Sequence, residues 1–241
     1  MILDSFPKIL WINLARSKDR SEYMNTLLNK FKLNHTRIDA VNGLDAKLIN
    51  NICDINLNIS FFENACTCSH LHAIKYFVEN MIDECVIIFE DDVSFDFLPL
   101  IPYNWSKLTT NFPANYDVIQ LAVTRNVNDH VTNSLIKINP EMKYYCSAAY
   151  LITRSGAKKL LEKYYSNGKI ILSSQKYATA DAMILNLDNV YSIPIFTYLL
   201  NSSLIHQNHY YLHTRSKMQQ YLMWKNIGVF DFNKYFDGFP K

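Results

Sequence analysis

The chain has 241 residues, 49% of them hydrophobic, enough to bury a core in one large domain. Its 24 Lys and Arg against 22 Asp and Glu leave a formal charge of +2, so no global field draws it to nucleic acid or to an anionic membrane. Only five Gly are present, with no Gly-rich phosphate loop and no dinucleotide fingerprint, which argues against a P-loop or nicotinamide enzyme.

Lys8 to Leu14 reads as a first buried strand, and Ser17 followed by Asp19, Arg20, Ser21 and Glu22 opens a helix running to about Leu33. His35 to Val41 returns as a second strand, broken by Asn42-Gly43, after which Asn and Asp crowd a loop through about Ser60. From Asn64 to Asn80 the apolar positions Leu71, Ile74, Phe77 and Val78, continued by Met81, recur at helical spacing, so a helix leads into the next strand. That strand, Cys85-Val86-Ile87-Ile88-Phe89, ends on three consecutive acids, Glu90, Asp91 and Asp92. Asp117 to Ala122 and Ser147 to Ile152 are further short buried strands, and Ser155 is the expected cap of a helix beginning Gly156-Ala157. Strands alternate with helices without repeat or linker, which predicts one three-layer α/β domain over residues 1–241. The aromatic-rich flank from about 204 to 241 serves either as packing or as a substrate wall.

The five cysteines, Cys53, Cys66, Cys68, Cys85 and Cys146, are odd in number, scattered, and match no zinc spacing. Cys66-Thr67-Cys68 lacks a second ligand pair, so buried free thiols are expected, in a cytoplasmic or otherwise reducing compartment. Met1 to Lys8 lacks the basic and long apolar regions of a signal peptide, and no window approaches 18 uninterrupted apolar residues, so no transmembrane segment is expected.

A strand buried on both faces belongs inside a parallel sheet, and in open α/β sheets ligands bind at the strands' carboxyl edge. Glu90, Asp91 and Asp92 on that edge repel one another unless a cation or proton is shared, which suggests a metal-bound anionic substrate; the alternative is an ordinary acidic loop. Asn13, Arg16 and Arg20 follow the first strand and share this edge. There an amide can bond a polar ligand, and a guanidinium can meet anionic oxygens, although Arg20 reads equally as surface charge on a helix. Arg37 either joins the ligand site or pairs with an acid such as Asp39. His70 either bonds the ligand, braces the acidic loop, or is a satisfied buried histidine.

Four segments occur in the order and spacing of one family: Trp11-Ile12-Asn13-Leu14-Ala15-Arg16-Ser17-Lys18-Asp19-Arg20, Arg37-Ile38-Asp39-Ala40-Val41-Asn42-Gly43, Glu63-Asn64-Ala65-Cys66-Thr67-Cys68-Ser69-His70, and Ile88-Phe89-Glu90-Asp91-Asp92-Val93. Together with Ala148-Ala149-Tyr150-Leu151-Ile152-Thr153-Arg154-Ser155-Gly156-Ala157, they resemble glycosyltransferase family 25, which includes lipooligosaccharide and collagen galactosyltransferases, over about Ile9 to Ser203. Ala65, Phe62, Asn42 and Thr179 depart from the family pattern, where glycine, glycine, an acid and proline are usual.

The resemblance implies a GT-A-like three-layer α/β/α sandwich with a mostly parallel central sheet. It also implies an inverting transferase moving galactose or glucose from a UDP-sugar to a hydroxyl on a glycan or protein. Mn²⁺ or Mg²⁺ would be the cofactor, because hard carboxylate ligands can hold an ion that neutralises the diphosphate leaving group. Asp92 would touch the metal, with Glu90 or Asp91 reaching it or the donor's ribose, and His206 or His209 would supply a third ligand as in some GT-A enzymes. Asp181 falls where the family carries an acid ahead of a helix, and becomes the expected general base for the acceptor hydroxyl; otherwise it is the N-cap of a helix from Ala182 to Leu187. The rival readings are a degenerate transferase that binds sugar nucleotide or glycan without turnover, and a metal-dependent phosphotransferase or hydrolase.

Overall fold

The computed structural model describes residues 3–125, 135–138, 144–200 and 210–226. Its centre is a seven-stranded sheet in the order His35–Asp39, Ile9–Asn13, Cys85–Glu90, Ala149–Thr153, Val118–Gln120, Val190–Ser192 and Ile136–Lys137. Five strands run the same way; Ala149–Thr153 and Ile136–Lys137 run against them.

Period-two alternation divides the strand side chains between two cores, which is why these strands read as unbroken apolar runs. Ile9, Trp11, Ile87 and Phe89 pack on one side with Met24 and Leu28 of helix Lys18–Lys30 and Trp224 of helix Tyr210–Lys225. Leu10, Ile12, Val86 and Ile88 pack on the other with Leu71, Ile74 and Phe77 of helix Phe61–Asn80 and Leu160 of helix Arg154–Tyr164. The result is the expected three-layer, mostly parallel α/β/α arrangement.

Local chemistry moved several boundaries. The stretch expected to be loop up to Ser60 holds helix Ala46–Ile52, because Asp45 caps it by accepting from the Leu48 amide at 2.9 Å and Ile49 gives it a buried anchor. Helix Phe61–Asn80 starts three residues before Asn64, since Ser60 and Glu63 form a reciprocal capping box. The cap of helix Arg154–Tyr164 is Thr153, not Ser155: its hydroxyl accepts from the Gly156 amide at 3.0 Å. Helix Ala180–Leu185 has Thr179 at its N-cap, which places Asp181 inside the first turn, not at the cap. Phe62, one of the departures from the family pattern, packs so closely on Gly43 that a Cβ there would lie 2.6 Å from its ring.

Helix Tyr210–Lys225 belongs to the packing of the flank. Trp224, 1% exposed, donates its indole N–H to the Pro194 carbonyl at 2.6 Å, whereas Tyr210 and Tyr211 face solvent.

Candidate active site

Parallel register brings the predicted residues to one sheet edge: Ile12 pairs with Glu90 and Asn13 with Asp39. The antiparallel strand enters the sheet from this same edge, Ala149 opposite Phe89, so the residues just before it land beside the acids. The loop carrying the acids is pinned farther on, where Val93–Ser94 pairs with Thr197–Tyr198 and the Leu199 amide donates to the Asp92 carbonyl at 2.8 Å.

Asn13 and Asp91 form one half of the site. The Asn13 amide, buried, donates to Asp91 Oδ2 at 2.6 Å and to the Ser17 carbonyl at 3.2 Å, while its own oxygen accepts from Arg37 Nε at 3.0 Å. Arg20 forms an ion pair with Asp91 Oδ1. Burial pushes the Asp91 carboxyl above its ordinary range against the pull of Arg20 and Asn13. Burial also opposes the charge on Arg20, but Asp91, Asp92 and Glu90 outweigh it and raise its pKa. Arg37 pairs with Asp39 at 2.7 Å, and exposed Arg16 donates to Asn42 Oδ1. Asn13 and Arg37 also line a shallow groove of about 490 Å³ beside helix Lys18–Lys30.

Glu90 and His70 form the other half. Helix Phe61–Asn80 presents fully buried His70 to the acid-bearing strand, with Nε2 3.3 Å from Glu90 Oε1 and Nδ1 3.0 Å from the Tyr150 hydroxyl. Ser147 donates to the same Glu90 oxygen at 2.6 Å. Burial works against ionisation of Glu90, but the bonds from His70 and Ser147 and the charge of Arg20 hold its carboxyl below the usual glutamate range. One helical turn before His70 sits Cys66, and Cys66 Sγ, a His70 ring nitrogen and a Glu90 oxygen lie within 4.8 Å of one another.

Cys146 holds the strained backbone of the site, at φ +95°, in the left-handed region that disfavours a side chain. Gln120, on the neighbouring strand and fully buried, donates to the Tyr145 and Cys146 carbonyls at 2.9 Å each and fixes this loop. Burial pushes the thiols of Cys66 and Cys146 well above their ordinary range, and both feel the negative charge of Glu90, Asp92 and Asp181. Both cysteines are free and half-buried, where buried thiols were expected. Asp181 accepts on Oδ1 from the Thr179 hydroxyl and the Ala182 amide, both at 2.8 Å.

The structure thus gathers Asn13, Arg20, Arg37, His70, Glu90, Asp91 and Asp92 around one sheet edge, leaves Arg16 at its exposed rim, and holds Asp181 in the first turn of helix Ala180–Leu185, bonded to Thr179 and Ala182. His206 and His209 lie outside the described residues. Cys66, Cys146, Ser147 and Tyr150 were not among the sequence-derived site residues. The i,i+4 spacing of Cys66 and His70 on a predicted helix was the one available signal, because those positions share a face. Nothing local marks Ser147 or Tyr150, which depend on an antiparallel pairing.

Comparison with solved structures gives A197 from STIV, with 13% identity, 79% of this chain and 83% of that chain covered, and a TM-score of 0.44. The inositol-1-phosphate CTP transferase from T. maritima follows at 14% identity, with 88% and 96% covered and a TM-score of 0.41. HddC from Yersinia pseudotuberculosis has 8% identity, 92% and 100% covered, and a TM-score of 0.36. Comparison with curated proteins finds no match. The model of glycosyltransferase family 25 (LPS biosynthesis protein) matches residues 6–183, across the elements that carry Asn13, His70, the three acids and Asp181, and on that match this chain belongs to glycosyltransferase family 25.

Proposed function

We propose that this family 25 glycosyltransferase moves galactose or glucose from a UDP-sugar to a hydroxyl on a glycan or protein, with inversion. The observation that carries the reading is the family match over residues 6–183. It is supported by the sheet edge at which Asn13 and Arg20 meet Asp91 and His70 meets Glu90.

The donor set suits a small divalent ion such as Mn²⁺ or Mg²⁺: Asp92, 8% exposed, and Glu90 offer carboxylate oxygens at the sheet's carboxyl edge. Asp92 and Glu90 would hold it, and when bound it supplies positive charge against the diphosphate leaving group. Around that point the chain's own residues position and neutralise. Arg16 at the rim and Arg20 beside the acids meet phosphate oxygens, while Asn13, Arg37, Asp91 and His70 hold the donor side in shape. Asp181 takes the proton from the incoming hydroxyl as the new bond forms on the far face of the sugar, with Oδ1 already steadied by Thr179 and Ala182.

The test is release of UDP from UDP-galactose and UDP-glucose by the purified protein with Mn²⁺, Mg²⁺ or chelator. Metal-dependent UDP release, increased by a hydroxyl acceptor, supports the reading. Binding of UDP-sugar without any turnover would instead make the protein a sugar-nucleotide binder.

A further inference from the structure

We propose that Cys66, His70 and Glu90 form a second type of metal centre, a site for a borderline transition ion such as Zn²⁺, set directly against the carboxylates of the sugar-transfer cleft. The three ligand atoms come from one helix and the end of one strand and lie within 4.8 Å of one another. A tetrahedral ion with bonds of about 2.0 to 2.3 Å holds its ligand atoms roughly 3.3 to 3.6 Å apart, so small side-chain adjustments close the trio. The Cys66 and His70 spacing of four residues puts both on one helix face, and Cys85–Glu90 lies on the layer beneath.

The surroundings of the trio are those of a metal site with its supporting bonds already in place. Histidines that bind metal through one nitrogen hold the other in a hydrogen bond, which fixes tautomer and ring orientation. Here Nδ1 of His70 faces the Tyr150 hydroxyl at 3.0 Å, which turns Nε2 toward Glu90. The carboxylate ligand is steadied in the same way, by the Ser147 hydroxyl at 2.6 Å. His70 is fully buried, while Cys66 and Glu90 are partly open, so an ion held by the trio would keep access to solvent. Three protein ligands with one open position is the pattern of a reactive zinc site, not of a closed structural one.

Sulfur, imidazole and a single carboxylate together select zinc-like ions, whereas Mn²⁺ and Mg²⁺ prefer oxygen ligands throughout. The inference therefore goes beyond the donor chemistry proposed above. It shares Glu90 with that reading but stands on its own ligand set.

Titration of metal-free protein with Co²⁺ reads the trio directly, because a cobalt–thiolate bond gives a charge-transfer band and tetrahedral cobalt gives intense visible bands. A single Co²⁺ should bind with both features, and Zn²⁺ should displace it while excess Mn²⁺ leaves it in place. Cys66→Ala should remove the thiolate band and Cys85→Ser should keep it. Tyr150→Phe, which deletes only a hydroxyl, should weaken Co²⁺ binding about ten- to a hundredfold. The assignment is overturned by wild-type protein that shows no thiolate band, by a band that survives Cys66→Ala and disappears in Cys146→Ala, or by displacement with equimolar Mn²⁺. None of these readouts involves sugar transfer, so a failure here and a failure to release UDP are separate results.

Discussion

Asn13 Nδ2 lies 2.6 Å from Asp91 Oδ2, joining the end of the first strand to the second of the three acids across 78 residues of chain. Arg20 takes the other Asp91 oxygen and Arg37 the Asn13 carbonyl, so the amide is the centre of a buried polar bracket. Bonds of this kind to a charged group are worth about 1.5 to 3 kcal/mol, and leaving a buried carboxylate without its partner costs at least as much. Asn13→Ala should lower unfolding free energy by about that amount, read as a lower midpoint in urea at an unchanged slope. An unshifted midpoint would mean that water replaces the amide at no cost.

Asp92 differs from Asp91 in its surroundings: its charge reaches Cys66, Cys146, Tyr23 and Tyr198 as well as Arg20. Asp92→Ala should abolish Mn²⁺-dependent binding of UDP in calorimetry while circular dichroism remains that of the wild type. Full Mn²⁺-dependent binding in the folded variant would remove Asp92 from the proposed ligand set.

Asp181→Asn keeps the shape of the side chain and its bond to the Ala182 amide but removes its basicity. Sugar transfer should fall at least about a hundredfold, the usual contribution of a general base, with UDP-sugar affinity near wild type. Near-normal transfer would reduce Asp181 to a helix-start residue, and lost donor affinity would place it on the nucleotide side.

His35 gives the fold a pH dependence. Trp11 donates its indole N–H to His35 Nδ1 at 3.1 Å, a bond that requires the neutral ring at that nitrogen, and burial lowers the His35 pKa. The unfolded chain therefore takes up the proton first, at about pH 6.5. This contribution to stability is present above that value and is lost as the pH falls toward the folded-state pKa. Stability measured from about pH 7 to about pH 5 should decline, and His35→Gln, which retains an acceptor for Trp11 but does not titrate, should flatten part of the decline. His72, also lowered by burial and then by Lys75, supplies a remainder. An identical decline in wild type and His35→Gln would assign the whole effect elsewhere.

Gly156 has no room for a side chain: a Cβ would stand 2.7 Å from the Asp117 carbonyl oxygen, a backbone atom that cannot rotate away. Gly156→Ala should cost about 1 to 3 kcal/mol, as overpacking does, despite the better helix propensity of alanine. Thermal unfolding measures it, and a stabilised variant would show that the helix start can shift outward.

The strands, the long helices and the three acids at a strand end were legible in the sequence, because apolar periodicity and an abrupt change to charge are local properties of the chain. Ile9 to Asn13 and Cys85 to Glu90 each carry their burial in their own composition. Capping signals were also present at Asp45, Ser60 with Glu63, and Thr153, and these define the helix starts that periodicity alone misplaced. Only the tertiary structure decided the roles of the polar groups. Whether Asn13 faces a ligand or Asp91, whether His70 faces a sugar or Glu90, and whether Ser147 is near the acids at all depend on which strands neighbour one another and in which direction they run. The reversal of Ala149–Thr153 against Cys85–Glu90 brings Cys146, Ser147 and Tyr150 to the acids, and that pairing joins residues some 60 positions apart, a separation at which neither periodicity nor propensity carries information.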